Sequence, residues 1–179
     1  MTSRKKLRTS DMTYIALFAV LMAVCSWLVI PAPIPFTLQT FAVFLALLTL
    51  GGNRGFICIV TYLLMGAVGL PVFSGFQGGL GTLLGASGGY LSGFVVAAIL
   101  FRLITARRSA VSRPRKIVGC LTGLLGCYIF GTVWYMQLYG GPNSLWGTLA
   151  VCVFPFIIPD LIKLALAVFL SRQLSRHLH

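Results

Sequence analysis

Apolar stretches of roughly membrane-span length follow one another through most of this chain, broken only by short basic, proline-rich or glycine-rich segments. That alternation leaves few folds open. With 58% hydrophobic and 9% charged residues, and a mean hydropathy of +0.97, there is too little polar surface to cover a water-soluble domain of 179 residues. The chain reads as an all-α integral membrane protein. At about 20 residues per crossing, its length allows one bundle of about six helices and no sizeable soluble domain.

The breaks predict a single domain over 1–179, with spans near 12–30, 38–50, 56–68, 89–104, 117–138 and 157–173. Three prolines in Pro31-Ala-Pro-Ile-Pro35 end the first span. A tight Gly51-Gly-Asn-Arg-Gly55 turn separates the second from the third. The glycine-rich stretch 69–88 is a poor helix former. Residues 139–156 read as a membrane-associated outer loop, after which Pro159 falls in the first turn of the last span, where proline is tolerated. Asp160 then shares that first turn, which the helix dipole makes favourable for a carboxylate.

A net charge of +12 raises the question of nucleic acid, and the distribution of the charges answers it. Arg4, Lys5, Lys6 and Arg8 precede the first span, and Arg54 sits in the turn between the second and third. Arg102, Arg107, Arg108, Arg113, Arg115 and Lys116 lie around the link between the fourth and fifth, and Arg172 and Arg176 close the chain. Thirteen of the fourteen basic residues thus fall on one side, which is a topology signal and not a nucleic-acid stripe. By the positive-inside rule both termini are cytoplasmic. The proline loop, the glycine segment and the Gly140-Gly-Pro-Asn143 loop then face outward.

Catalytic chemistry finds no foothold. There is no G-x-x-x-x-G-K-[ST] to cradle a nucleotide. Gly79-Leu-Gly81 and Gly85-Ala-Ser-Gly88 follow no strand, so they make no dinucleotide fingerprint. Ser74, Ser87 and Ser92 have no base placed to activate them, and His177 and His179 sit in the cytoplasmic tail. Cys25, Cys58, Cys120, Cys127 and Cys152 show no C-x-x-C and no nearby histidine, so they read as buried free thiols, not zinc ligands or disulfides. No enzyme, metal or cofactor is expected.

One basic residue remains unexplained by topology. Lys163 lies with Asp160 inside the apolar run 156–167, and Asp160 is one of only two carboxylates, Asp11 being the other. A charge at membrane depth costs from about 3 to more than about 10 kcal/mol unless it is paired or hydrated. Residues three apart share a helical face, so the two can pair. One reading is a purely structural ion pair bracing the last span. The other is a ligand site, favoured because Gln39 and Gln77 mark the same outer end and Phe36, Phe73 and Phe76 stand beside them as candidate walls. Trp134, Tyr135 and Trp146 read as interfacial belt residues. Ala19-Val-Leu-Met-Ala23 is a small-x-x-x-small pattern that lets another helix approach closely, though chance in an alanine-rich span explains it equally well.

Several ordered motifs, spread over nearly the whole chain, resemble the BioY family, the biotin-binding S components of energy-coupling factor (ECF) transporters. They are Pro35-Phe-Thr-Leu-Gln-Thr40, Tyr62-Leu-Leu-Met-Gly-Ala-Val-Gly-Leu-Pro-Val-Phe73, Gly78-Gly79, Gly85-Ala-Ser-Gly-Gly-Tyr-Leu-Ser-Gly-Phe94 and Pro159-Asp-Leu-Ile-Lys163. The resemblance implies a multi-pass bacterial plasma-membrane protein that captures biotin from outside. It also implies delivery through a transmembrane T component and two cytoplasmic ABC ATPases, separate chains. It implies substrate contacts from Asp160 and Lys163 and partner contacts through Ala19 and Ala23. Ser87 and Tyr90 in the glycine-rich motif, and Gln39, Gln77, Phe36 and Phe73 by their place at the outer end, complete the expected site. This chain has Ala86-Ser87 where the family usually has Pro-Thr, which keeps a hydroxyl, and Pro159 where it usually has Gly, which removes a backbone N–H beside the pair. An S component for another vitamin and a ligand-free membrane scaffold are the competing readings.

Overall fold

The computed structural model describes residues 8–31, 35–106, 112–139 and 145–177, apart from the side chains of 139 and 175–177. Seven helices are seen among them: α1 Thr9–Trp27, α2 Gln39–Ala67, α3 Leu80–Leu84, α4 Gly88–Thr105, α5 Arg113–Tyr139, α6 Leu145–Cys152 and α7 Phe154–His177. A two-residue antiparallel hairpin, β1 Val29–Ile30 and β2 Phe36–Thr37, joins α1 to α2. Five of the helical segments are long and apolar enough to cross a membrane. The molecule is an all-α integral membrane protein.

The count of six crossings turns on one residue. Gly51 adopts φ 80°, ψ 177° inside α2, a conformation that a side chain would strain. The chain reverses there. Gln39 at the start of the first arm reaches Tyr62 of the second, and Gly55 lies against Leu47. Helix α2 is therefore a hairpin of two antiparallel arms, 39–50 and 52–67, the turn expected at residues 51–55 being condensed to a single non-helical glycine.

Helices α4 and α5 make the tightest pair. A Cβ on Gly123 would stand 3.0 Å from the Ala97 carbonyl oxygen, and one on Gly131 would collide with the Tyr90 ring. In lipid, helix association rests on such close approach and not on hydrophobic exclusion, so small residues line the contact. The Ala19/Ala23 pattern serves the same purpose internally. Both alanines are buried in the core, while Leu17, Val20 and Val24 form the exposed face of α1. In the isolated chain, a partner approaching α1 would first meet those exposed residues, with Ala19 and Ala23 behind them.

The two ends of the bundle differ in chemistry. At one end Arg54 pairs with Asp11 at 3.1 Å, the Lys116 Nζ donates to the Leu48 carbonyl at 3.2 Å, and Arg115 donates to the Ile104 carbonyl at 2.6 Å. Basic residues of the α2 turn and of the start of α5 therefore gather at one end, against Asp11 of α1 and the carbonyl ends of α4 and of the first arm of α2, as the charge pattern predicts. The hairpin, the 69–88 loop and the Asp160–Lys163 pair occupy the other. Arg4, Lys5, Lys6, Arg107, Arg108, His179 and the Gly140–Asn143 loop lie outside the described residues, as do the side chains of Arg176 and His177.

Two element boundaries depart from the sequence reading. Residues 145–152, read as part of a loop, form α6. Helix α7 begins at Phe154, so Pro155 occupies its first turn and Pro159 lies inside it. A proline at position 159 removes only the N–H that would have bonded the residue 155 carbonyl, and the helix runs through the gap. Asp160 thus sits in the second turn, beyond the strongest influence of the helix dipole.

Candidate substrate site

Asp160 and Lys163 are buried, with 3% and 4% of their surface exposed, and join at 2.8 Å between Oδ1 and Nζ. Neither is left with a single partner. The Tyr128 hydroxyl donates to Asp160 Oδ2 at 2.6 Å, and Lys163 Nζ donates to the Thr37 carbonyl at 2.7 Å. The Phe36 ring lies 4.2 Å from the same ammonium and packs against Phe156 with ring centroids 5.7 Å apart. A carboxylate and an ammonium removed from water are tolerable only when their remaining valences are occupied in this way. The hairpin is what makes the arrangement possible. Pairing of Val29 with Thr37 and Ile30 with Phe36 fixes β2, which presents a carbonyl and a ring to α7.

A second chain of hydrogen bonds steadies the neighbouring wall. Gln39 Nε2 donates to the Tyr62 hydroxyl at 2.7 Å, Tyr62 donates to the Val72 carbonyl at 2.8 Å, and Ser26 donates to that carbonyl at 2.6 Å. Residue 72 opens the long loop, so α1 and α2 together pin its base. The amide orientation of Gln39 is set by these bonds, and its carbonyl half has no protein donor among the described residues. Trp27 adds a further tie, its indole N–H donating to the Pro71 carbonyl at 2.9 Å while its ring stacks on Phe76.

These groups line one cavity of about 70 Å3, walled by Thr37, Gln39, Tyr90, Tyr128, Asp160 and Lys163 among polar residues and by Leu91, Phe94 and Phe156 among apolar ones. A buried carboxylate, an ammonium, a tyrosine and an amide converge beside aromatic surface, the arrangement of a site for a small polar molecule. The sequence model described as the BioY family matches residues 1–179. This chain belongs to the BioY family.

Within that family it is 36% identical over 170 residues to the probable biotin transporter BioY of Pyrococcus horikoshii, covering 94% of this chain and 98% of the relative. It is 36% identical over 161 residues to the biotin transporter BioY of Thermotoga maritima, covering 89% and 92%. Among solved structures, the crystal structure of the S-component for biotin from an ECF-type ABC transporter aligns with a TM-score of 0.84 and 27% identity, over 98% of this chain and 95% of that one.

Set against the BioY motifs, the cavity gathers Asp160, Lys163, Gln39, Ser87 and Tyr90. Phe36 stands behind Lys163 as its cation–π partner and does not line the cavity. Gln77 is exposed and borders a separate cleft that adjoins the cavity through Pro35 and Ser87. Phe73 is wholly buried. Its ring meets Tyr62 edge-on at 5.6 Å and lies on Gly66, where any Cβ would overlap it, so it anchors the loop instead of facing a ligand. Tyr128 and Thr37 are the residues that sequence reasoning missed. Tyr128 is an isolated tyrosine in an apolar span, and only a mid-membrane hydroxyl hints at a polar partner. Thr37 contributes a main-chain oxygen, which has no signature in sequence.

Proposed function

We propose that this chain captures biotin as the substrate-binding subunit of an ECF-type transporter, with a T component and two ATPases as separate chains. The observation that carries the reading is the buried Asp160–Lys163 pair lining a cavity with Tyr128 and Gln39. Biotin's ureido ring offers two N–H donors and one carbonyl. Asp160 and the free carbonyl half of Gln39 are acceptors, Lys163 and Tyr128 are donors, and Phe94 and Phe156 supply apolar surface for the fused rings. The positive-inside rule sets the basic end in the cytoplasm and the cavity toward the outside.

The lining includes Pro35, Ser74 and Ser87, so the β1–β2 hairpin and the 69–88 loop both border the space a ligand would enter. Isothermal titration of the purified chain should give tight one-to-one biotin binding, and no heat at micromolar biotin would overturn the proposal. A second reading is supported by the saturation of the pair with protein partners: a scaffold in which Asp160 and Lys163 only brace α7. Tyr128→Phe, which leaves the ion pair closed, separates the readings. The scaffold reading expects no biotin heat from the parent chain or the variant, whereas the transport reading expects binding that the variant weakens with the fold retained.

A further inference from the structure

Helices α5 and α7 flank a seam bridged by the Tyr128–Asp160 hydrogen bond, and the space along it has two chemically distinct parts. At the basic end a pocket of about 110 Å3 is bounded by Arg113 and Lys116 of α5, Arg172 and Ser171 of α7, and Thr49 of α2. The Thr49 hydroxyl is buried and has no hydrogen-bond partner among the described residues. Three cations, Lys116 sharing its ammonium with the Leu48 carbonyl, and an unused hydroxyl gather at the start of the 27-residue α5, a positive setting that suits an anion. Above it the same two helices, joined further along by α6, line an apolar groove of about 580 Å3, walled by Leu121, Leu125 and Ile129 of α5, Leu149 of α6, and Ile157 and Leu161 of α7.

We infer that this seam holds one anionic diacyl phospholipid, its phosphate among Lys116, Arg113 and Arg172 and one acyl chain in the groove. Length and charge select this occupant. The groove starts at Leu121, about 7.5 Å along the helix from Lys116, and reaches Met136 about 22 Å further on. Tyr128 stands about 18 Å along the helix from Lys116, one leaflet's hydrocarbon depth of about 15 Å plus part of the headgroup layer, so a chain anchored at Lys116 extends to that level. A free anion would use the pocket and leave the groove empty. A second protein helix would fill the groove with no need of three cations. Only a molecule with a phosphate and a long apolar tail uses both parts, and basic pockets between helices favour anionic headgroups.

Native mass spectrometry of the full chain tests this, with the chain released from micelles containing palmitoyl-oleoyl phosphatidylglycerol or the matching phosphatidylcholine. One phosphatidylglycerol per chain should be retained at least tenfold over phosphatidylcholine. Lys116→Gln with Arg172→Gln should abolish the preference. Thr49→Val, which removes only an unpartnered hydroxyl and leaves the fold intact, should weaken retention several-fold. Ile129→Trp should fill the groove and lower retention of the lipid while leaving its headgroup preference. Biotin titration of each variant serves as the control for folding, since none of these residues lines the substrate cavity. Equal retention of the two lipids would overturn the inference. So would full competition by millimolar inorganic phosphate, or a second copy of the chain seated on the seam.

Discussion

Each of the two carboxylates holds a cation, at opposite ends of the first arm of α2, and the two arrangements do different work. Asp11 closes the first turn of α1. Its Oδ2 accepts the Arg8 N–H at 3.1 Å and its Oδ1 meets Arg54, whose side chain remains 46% exposed. The geometry is that of a helix cap with an ion pair attached, at a basic and wet end of the bundle. Asp160 has the same chemistry in a dry setting, with a partner only 5% exposed, a tyrosine and a main-chain carbonyl to complete the set. Asp11 itself is only 8% exposed, but its partner stands in water and its other oxygen is held by the Arg8 N–H. This half-open pair therefore lies toward the roughly 0–1 kcal/mol of surface pairs, whereas removing one member of a fully buried pair costs about 3–5 kcal/mol. The burial of the second pair is thus too costly to be incidental, which is the physical ground for placing function there.

The sharpest way to break the comparison is Lys163→Ala. It strands a buried carboxylate, and a loss of about 3–5 kcal/mol in unfolding stability should accompany biotin binding at least a hundredfold weaker, read by denaturant titration and calorimetry. Tyr128→Phe should come next. Loss of one hydrogen bond to a charged group, about 1.5–3 kcal/mol, corresponds to roughly ten- to hundredfold weaker binding with the fold retained. Arg54→Ala should lower stability by about 1 kcal/mol or less and leave biotin affinity unchanged. The smallest effect is that of salt. Raising it from about 0.1 to 1 M shortens the screening length from about 10 to 3 Å, which should erase the Arg54→Ala difference while leaving the Lys163→Ala penalty in place. An Arg54→Ala penalty as large as that of Lys163→Ala would mean that the two pairs are energetically alike.

Much of this contrast was legible in the amino-acid order. The apolar runs predicted the helices, Gly51 lay where the α2 hairpin turns, and spacing put Asp160 and Lys163 on one face. The rest depended on packing that no local pattern encodes. Tyr128 is 32 residues from Asp160 and meets it only through the packing of α5 beside α7. Phe73 and Gln77 stand four apart in one loop, paired through their backbones, yet one turns wholly inward and the other outward. Their fates are set by Gly66, which leaves a space that only a side chain at 73 can fill. Pro159 was misplaced by half a turn or more because Pro155 offers an equally good helix start, and only the packed structure distinguishes them.

The placement of Asp160 and Lys163 on a single helix has a consequence for biogenesis. A pair formed across two helices would leave each charge naked until those helices met. Here the two residues are three apart in α7, so the ion pair closes as soon as that turn of helix exists. The last hydrophobic segment can leave the translocon and enter lipid already electrically neutral at its core. A single substitution at either position forfeits that neutrality, so it should slow the insertion of α7 as well as weaken the finished fold.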